Sequence, residues 1–183
     1  GKTSAGRRAA SALGCAFIDL DHEIEARGRS IAEIFQTDGE AAFRALERQV
    51  IAELVPPDPA VIATGGGAVL DPDNRAQLAQ WGTVVYLRAA PAELARRVAG
   101  SDRPPLIDGG PEAEARALLE IRDPLYRDVA QHVCDTDGLD VDQVAAYLGL
   151  DSLYYLSLEG MVKATGMTEK DYCLACFNAD YPV

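Results

Sequence analysis

Gly1-Lys2-Thr3-Ser4-Ala5-Gly6 opens the chain, and the reading of every downstream segment hangs on these residues. A phosphate-binding loop of the form G-x-x-x-x-G-K-[ST] works through three parts. Glycines let backbone N–H groups close around phosphate oxygens, a lysine reaches the β/γ-phosphates, and a hydroxyl sits on Mg²⁺. Gly1, Lys2 and Thr3 match the last glycine, the cation and the hydroxyl, while the upstream part of the motif is not in the sequence. A tripeptide of this kind also arises by chance, so its weight comes from the residues downstream of it. Residues 4–13 are alanine-rich, carry Arg7 and Arg8, and stop at Gly14. That pattern predicts the helix that succeeds such a loop, its N-terminus aimed at phosphate.

Working outward, Ala16-Phe17-Ile18 reads as a short buried strand stopped by Asp19-Leu20-Asp21. Short helices are expected over 22–28 and 30–37, then a longer amphipathic one over 39–55 with Phe43, Leu46, Val50, Ile51 and Leu54 on one side. Val61-Ile62-Ala63-Thr64 is a second buried strand running into Gly65-Gly66-Gly67. A helix near 73–80 leads to a third strand, Thr83–Leu87, and Pro91 opens a helix reaching about Val98. Residues 100–111 are rich in Gly, Pro and Asp and read as a mobile loop. A helix over 112–122 should break near Pro124 and resume for a turn, before a last strand over 132–135 and a last helix over 140–148. Strands alternating with helices imply a parallel α/β sheet covered on both faces, with the ligand beyond the C-terminal strand ends. Asp19, Asp21, the three glycines and the loop at Lys2 then share one rim.

Composition narrows the classes. A chain of 183 residues with 48% apolar content suits one domain with an appendage and enough core to fold. The net charge of −12 excludes nucleic acid and anionic membranes as general partners, so an anionic substrate must be held by local arginines. No apolar run is long enough to span a bilayer and no leader pattern opens the chain. Cys15, Cys134, Cys173 and Cys176 form no disulfide framework. A cytoplasmic location is the expectation.

Asp19 and Asp21 stand two apart at a strand end, which places both carboxylates on one face. One carboxylate there can hold a metal-bound water and another can accept the proton of an attacking hydroxyl. Asp21 as the cap of a helix starting at His22 is the plainer reading. Three glycines after a strand serve either a flexible turn or the close approach of a polar ligand. Arg44 and Glu47, three apart on one helix, suit a surface ion pair, or a guanidinium that grips a carboxylate while the acid fixes it. Arg103 lies in the loop-like segment as a cation that a closing lid would deliver. Arg122, before Asp123-Pro124-Leu125-Tyr126, is a second candidate anion clamp.

Taken together, GKTSAG, FIDLDHEIE, SIAEIFQTDGEAAFRALE, VIATGGGAV, VVYLRAAPAELARRV, DRPPL and RDPLYRDVA resemble shikimate kinase over residues 1 to about 147. The resemblance implies a P-loop kinase fold of the nucleoside-monophosphate-kinase type. It also implies transfer of the ATP γ-phosphate to the 3-hydroxyl of shikimate, with ATP and Mg²⁺ as cofactors, in aromatic amino-acid biosynthesis. By position, Gly1, Lys2, Thr3 and Ser4 would hold nucleotide phosphates, and Thr3 with Asp19 (through water) the metal. Asp21 would bind substrate hydroxyls and act as base, Arg44 and Arg122 would grip the carboxylate, and Gly65, Gly66 and Gly67 would line the site. Glu47 would support them, Arg103 would be the lid cation on the phosphates, and Arg97 would stand on the adenine side.

Two features depart from that pattern. The family's first strand, central in its sheet, is absent, which leaves two inner edges open and predicts low stability and weak ATP binding. From about 148 to 183 the sequence, including YLSLEG, the Cys173/Cys176 pair and the closing DYPV, resembles the C-terminal end of amidophosphoribosyltransferase. Cysteines so placed are cluster ligands in the iron–sulfur branch of that family, but a [4Fe–4S] cluster takes four thiolates. The partners expected upstream are missing, so the pair reads as an unmetallated thiol pair in an inert foreign tail. The rivals to the kinase reading are another small-molecule P-loop kinase, acting on gluconate or a nucleoside monophosphate, and a non-catalytic fusion fragment.

Overall fold

Short, continuously apolar runs alternate with amphipathic ones along most of this chain, and the structure obeys that alternation. It is a computed structural model that describes residues 1–98, 109–156 and 173–178. Helix α1 (Lys2–Leu13) ends at Gly14, whose left-handed φ of 67° turns the chain back while its N–H bonds the Ala10 carbonyl. Ala5, Gly6, Ala9 and Ala10 are its buried face. These small residues let the helix lie close on the sheet: a Cβ at Gly6 would stand 2.9 Å from the Phe17 ring. Strand β1 (Ala16–Asp19) leads into α2 (Leu20–Glu25), and α3 (Ile31–Thr37) opens on a capping box between Ser30 and Glu33. Helix α4 (Gly39–Glu53) buries Phe43, Glu47, Val50 and Ile51.

Strand β2 (Ala60–Ala63) is buried throughout, and after the glycines a single 3-10 turn (Ala68–Leu70) enters α5 (Pro72–Trp81). Then come β3 (Val84–Arg88), α6 (Pro91–Val98), α7 (Pro111–Val129), β4 (His132–Asp135), α8 (Val141–Leu156) and β5 (Cys173–Asn178). The five described strands form one parallel sheet in the order β1-β2-β5-β3-β4. One face packs α1 and α8 through Ala5, Ala9, Val85, Leu87, Val144 and Leu148. The other packs α5, α6 and α7 through Leu78, Val84, Tyr86, Leu94, Ala115 and Tyr126.

Three expectations need correction. The gap expected between β2 and β3 is not open: β5 lies in it, with Ala60 opposite Cys173 and Ile62 opposite Ala175 on one side, and Val84 opposite Ala175 on the other. The physical reason is the demand of the inner edges of β2 and β3 for backbone partners. Cys-Leu-Ala-Cys-Phe-Asn has the continuous apolar character a doubly covered parallel strand requires. The last helix, expected over 140–148, does not stop there: α8 runs unbroken to Leu156. Pro124 does not end its helix either, because α7 continues through it to Val129. A missing N–H there removes one helical bond, and the buried Arg122, Tyr126 and Val129 on either side hold the helix against the molecule. The loop expected over 100–111 lies, up to residue 108, outside the described residues, and Arg103 with it. No described helix is long and apolar enough to cross a membrane.

Candidate functional site

The C-terminal ends of β1 and β2 and the starts of α1 and α2 meet at one carboxylate. Asp19, the last residue of β1, accepts the Asp21 N–H on Oδ1 at 3.1 Å and the Thr3 hydroxyl on Oδ2 at 2.8 Å. It is therefore Asp19, not Asp21, that caps α2. The two acids do not leave one face of a strand as expected; Asp21 comes from the first turn of the helix that Asp19 caps. A hydroxyl and a carboxylate thus meet where α1 begins.

Asp21 is half-buried, and its Oδ1 has no hydrogen-bond partner among the described residues. Burial holds its pKa above the ordinary carboxylate value; Lys2 pulls it down, Asp19 and Glu25 push it up, and Arg44 pulls it down. Beside it stands Gly65, where a Cβ would lie 3.0 Å from Glu47 Oε1 and 3.2 Å from Asp21 Oδ1. At Gly67 a Cβ would overlap the Arg44 guanidinium outright. Both glycines are needed for room rather than for an unusual backbone: Gly67 has φ −90°.

Arg44 donates to Glu47 at 2.8 Å and to Glu40 at 3.2 Å. Glu47 is only 2% exposed, and burial raises its pKa against the downward pull of Arg44 and the smaller one of Arg122. Arg122 is itself 3% exposed, yet its Nη1 has no partner among the described residues. A guanidinium withdrawn from water with a donor left over has room for one further acceptor. Gly66 completes the loop, its carbonyl accepting the Tyr126 hydroxyl at 2.5 Å.

Lys2, Thr3, Asp19, Asp21, Arg44, Glu47, Gly65, Gly66, Gly67 and Arg122, spread over the sequence, are thus brought together around the glycine loop. Others stand apart. Gly1 is exposed ahead of α1, its carbonyl taking the Ala5 N–H at 3.0 Å. Ser4 lines an open groove with Arg7, Ser11 and Asp142. Arg97 is engaged by Glu93 at 2.8 Å, the Thr136 hydroxyl at 3.0 Å and the Thr136 carbonyl at 2.8 Å, so it ties α6 to the loop after β4. Tyr126 is not singled out by the sequence, although its place one helical turn after Arg122 is the available signal.

Known proteins place this geometry in a family. A shikimate kinase family model matches residues 1–150. The chain belongs to the shikimate kinase family. Among curated shikimate kinases, that of Thiobacillus denitrificans is 50% identical over 138 residues, covering 74% of this chain and 75% of the relative. That of Burkholderia pseudomallei is 47% identical over 161 residues, covering 87% and 84%. The solved shikimate kinase from Acinetobacter baumannii in complex with shikimate superposes with a TM-score of 0.78 at 41% identity, covering 86% of this chain and 89% of that one. The Aquifex aeolicus shikimate kinase gives a TM-score of 0.72 at 29% identity, covering 87% and 94%. The P-loop kinase fold expected from the sequence is the fold these kinases share with the chain.

Two cysteines, Cys15 and Cys134, have described side chains, and both are free thiols. Cys134 is buried, and burial holds the Cys15 thiol above its ordinary value, the reverse of an activated nucleophile. No group of three His, Cys, Asp or Glu side chains suited to a metal occurs among the described residues.

Proposed function

We propose that this chain transfers the γ-phosphoryl group of ATP to the 3-hydroxyl of shikimate. One observation carries the reading: a buried arginine and a half-buried carboxylate, each with one polar atom unpartnered among the described residues, stand about the same glycine loop, as a small hydroxylated carboxylate requires. Arg122 and Arg44 bind the substrate carboxylate, and Glu47 keeps Arg44 in place through its 2.8 Å bond. Asp21 accepts the hydrogen bond of the reacting hydroxyl. As that oxygen bonds to the γ-phosphorus and the bond to the β-phosphate bridge breaks, the hydroxyl proton passes to Asp21 and ADP leaves.

Lys2 neutralises charge on the transferring group. The Thr3 hydroxyl and Asp19 carboxylate, 2.8 Å apart, are hard oxygen donors of the kind Mg²⁺ takes while keeping most of its waters. When bound there, Mg²⁺ would supply charge neutralisation at the β- and γ-phosphates. Ser4 and Gly1 belong to the phosphate side, Arg97 to the adenine side and Arg103 to the lid. The segment from 148 onward carries no activity of its own, and Cys173 and Cys176 hold no cluster. The enzyme acts in the cytoplasm on a small soluble substrate.

ADP release, measured in a coupled assay with shikimate, gluconate and nucleoside monophosphates as acceptors, tests the reading. Turnover is expected with shikimate alone. Faster turnover of gluconate or a nucleotide overturns it.

A further inference from the structure

The three carbonyls of the glycine loop are all held. Those of Gly65 and Gly67 accept the N–H groups of Ala68 and Leu70, at 3.1 and 3.0 Å, within the adjoining turn. The Gly66 carbonyl instead takes a side chain 60 residues away, the Tyr126 hydroxyl, at 2.5 Å. That phenol is itself fixed. Its ring is fully buried and stacks on Tyr86, centroids 4.7 Å apart. Tyr86 in turn donates to Asp123 at 3.0 Å, and Arg127 donates to the other oxygen of Asp123 at 2.6 Å.

Because a peptide unit is planar and trans, fixing the Gly66 carbonyl fixes the Gly67 N–H on its opposite side. A bond accepted by that carbonyl also polarises the same peptide and strengthens its N–H as a donor. Tyr126 lies one helical turn beyond Arg122 on α7, so a single turn carries the buried guanidinium and the clamp on the loop. The Tyr126 hydroxyl therefore ties the turn of α7 that carries Arg122 to the glycine peptides.

We infer that Tyr126 is a positioning residue for the acceptor substrate: its hydroxyl holds the Gly66–Gly67 peptide at a fixed distance from Arg122, and so sets the width of the carboxylate cradle. This rests on the assignment of shikimate to the site. Tyr126→Phe removes one oxygen and keeps the stacked ring. Tyr86→Phe removes the neighbouring hydroxyl from the same stack and controls for a loosened core. Tyr126→Phe is expected to raise the shikimate KM about 5- to 20-fold, the usual effect of leaving one buried polar group unpaired. The ATP KM should stay within about twofold of the wild type in Tyr126→Phe. Tyr86→Phe should stay near the wild type on both KM values, since its hydroxyl does not touch the loop carbonyl. Amide hydrogen exchange at Gly67 and Ala68 should quicken in Tyr126→Phe alone. Equal rises in both KM values, a matching loss in Tyr86→Phe, or unchanged exchange at those amides overturns the inference. Should the wild type fail to take shikimate, the substrate assignment falls, and hydrogen exchange still decides the clamp.

Discussion

Replacing Asp21 by asparagine keeps the shape of the side chain and takes one negative charge out of a site that also holds Asp19 and Glu47. Burial, with Asp19 and Glu25 adding to it, holds the Asp21 carboxyl above its ordinary value of 3.8, and its Oδ1 lacks a partner among the described residues. Ionising this carboxyl therefore costs more in the folded protein than in the unfolded chain. The sign comes from linkage: stability is complete below the unfolded pKa and is lost as pH rises through the raised folded one. Above the raised pKa the wild type carries the full penalty and the variant carries none. Relief of such a functional strain is worth about 1 kcal/mol, within the range of single stabilising changes. For a chain of this size that is roughly 2–4 °C in melting temperature.

The gain in melting temperature should shrink as pH falls below the ordinary carboxylate range, where wild-type Asp21 is protonated too. Loss of the base should cut kcat by about 10²- to 10⁴-fold. Thermal melts of both proteins across a pH series, with shikimate turnover at neutral pH, test the two halves separately. A variant that melts lower than the wild type at pH 7, or a gap that widens in acid, would refute the electrostatic argument. Turnover within about tenfold of the wild type would refute the role as base.

Gly67→Ala should leave the fold nearly intact, because φ is −90° there, but drive the Arg44 guanidinium aside. Shikimate affinity is then expected to fall at least about tenfold, as overpacking costs about 1–3 kcal/mol; calorimetric titration showing unchanged affinity would remove Arg44 from the site. Ala175→Pro deletes a ladder donor from a strand paired on both sides, opposite Ile62 and Val84. A loss of about 1–3 kcal/mol is expected. A denaturant melt indistinguishable from the wild type would show that the segment 173–178 does not close the sheet.

Local chemistry made much of this protein legible from its residues alone. Small residues at Ala5, Gly6, Ala9 and Ala10 and a stop at Gly14 fix α1 through local geometry. Apolar runs at 16–18 and 61–63 identify buried parallel strands, since only a doubly covered strand can dispense with a polar face. Lys2, Asp21, Arg44, Gly66 and Arg122 were legible as candidates for one anion-binding site, because each residue type has a definite physical use. Beyond local range the residue order was silent. Which acid caps α2 depended on where β1 stops, and whether Pro124 breaks a helix depended on what its flanks bury. Tyr126 acquired its role from a carbonyl 60 positions away. The place of Cys173–Asn178 in the middle of the sheet was decided by the unpaired edges of β2 and β3 rather than by neighbours in sequence. Sequence determines what each segment can form and what charge it carries; only packing decides which distant group satisfies which, because a hydrogen bond or a strand edge is indifferent to chain position.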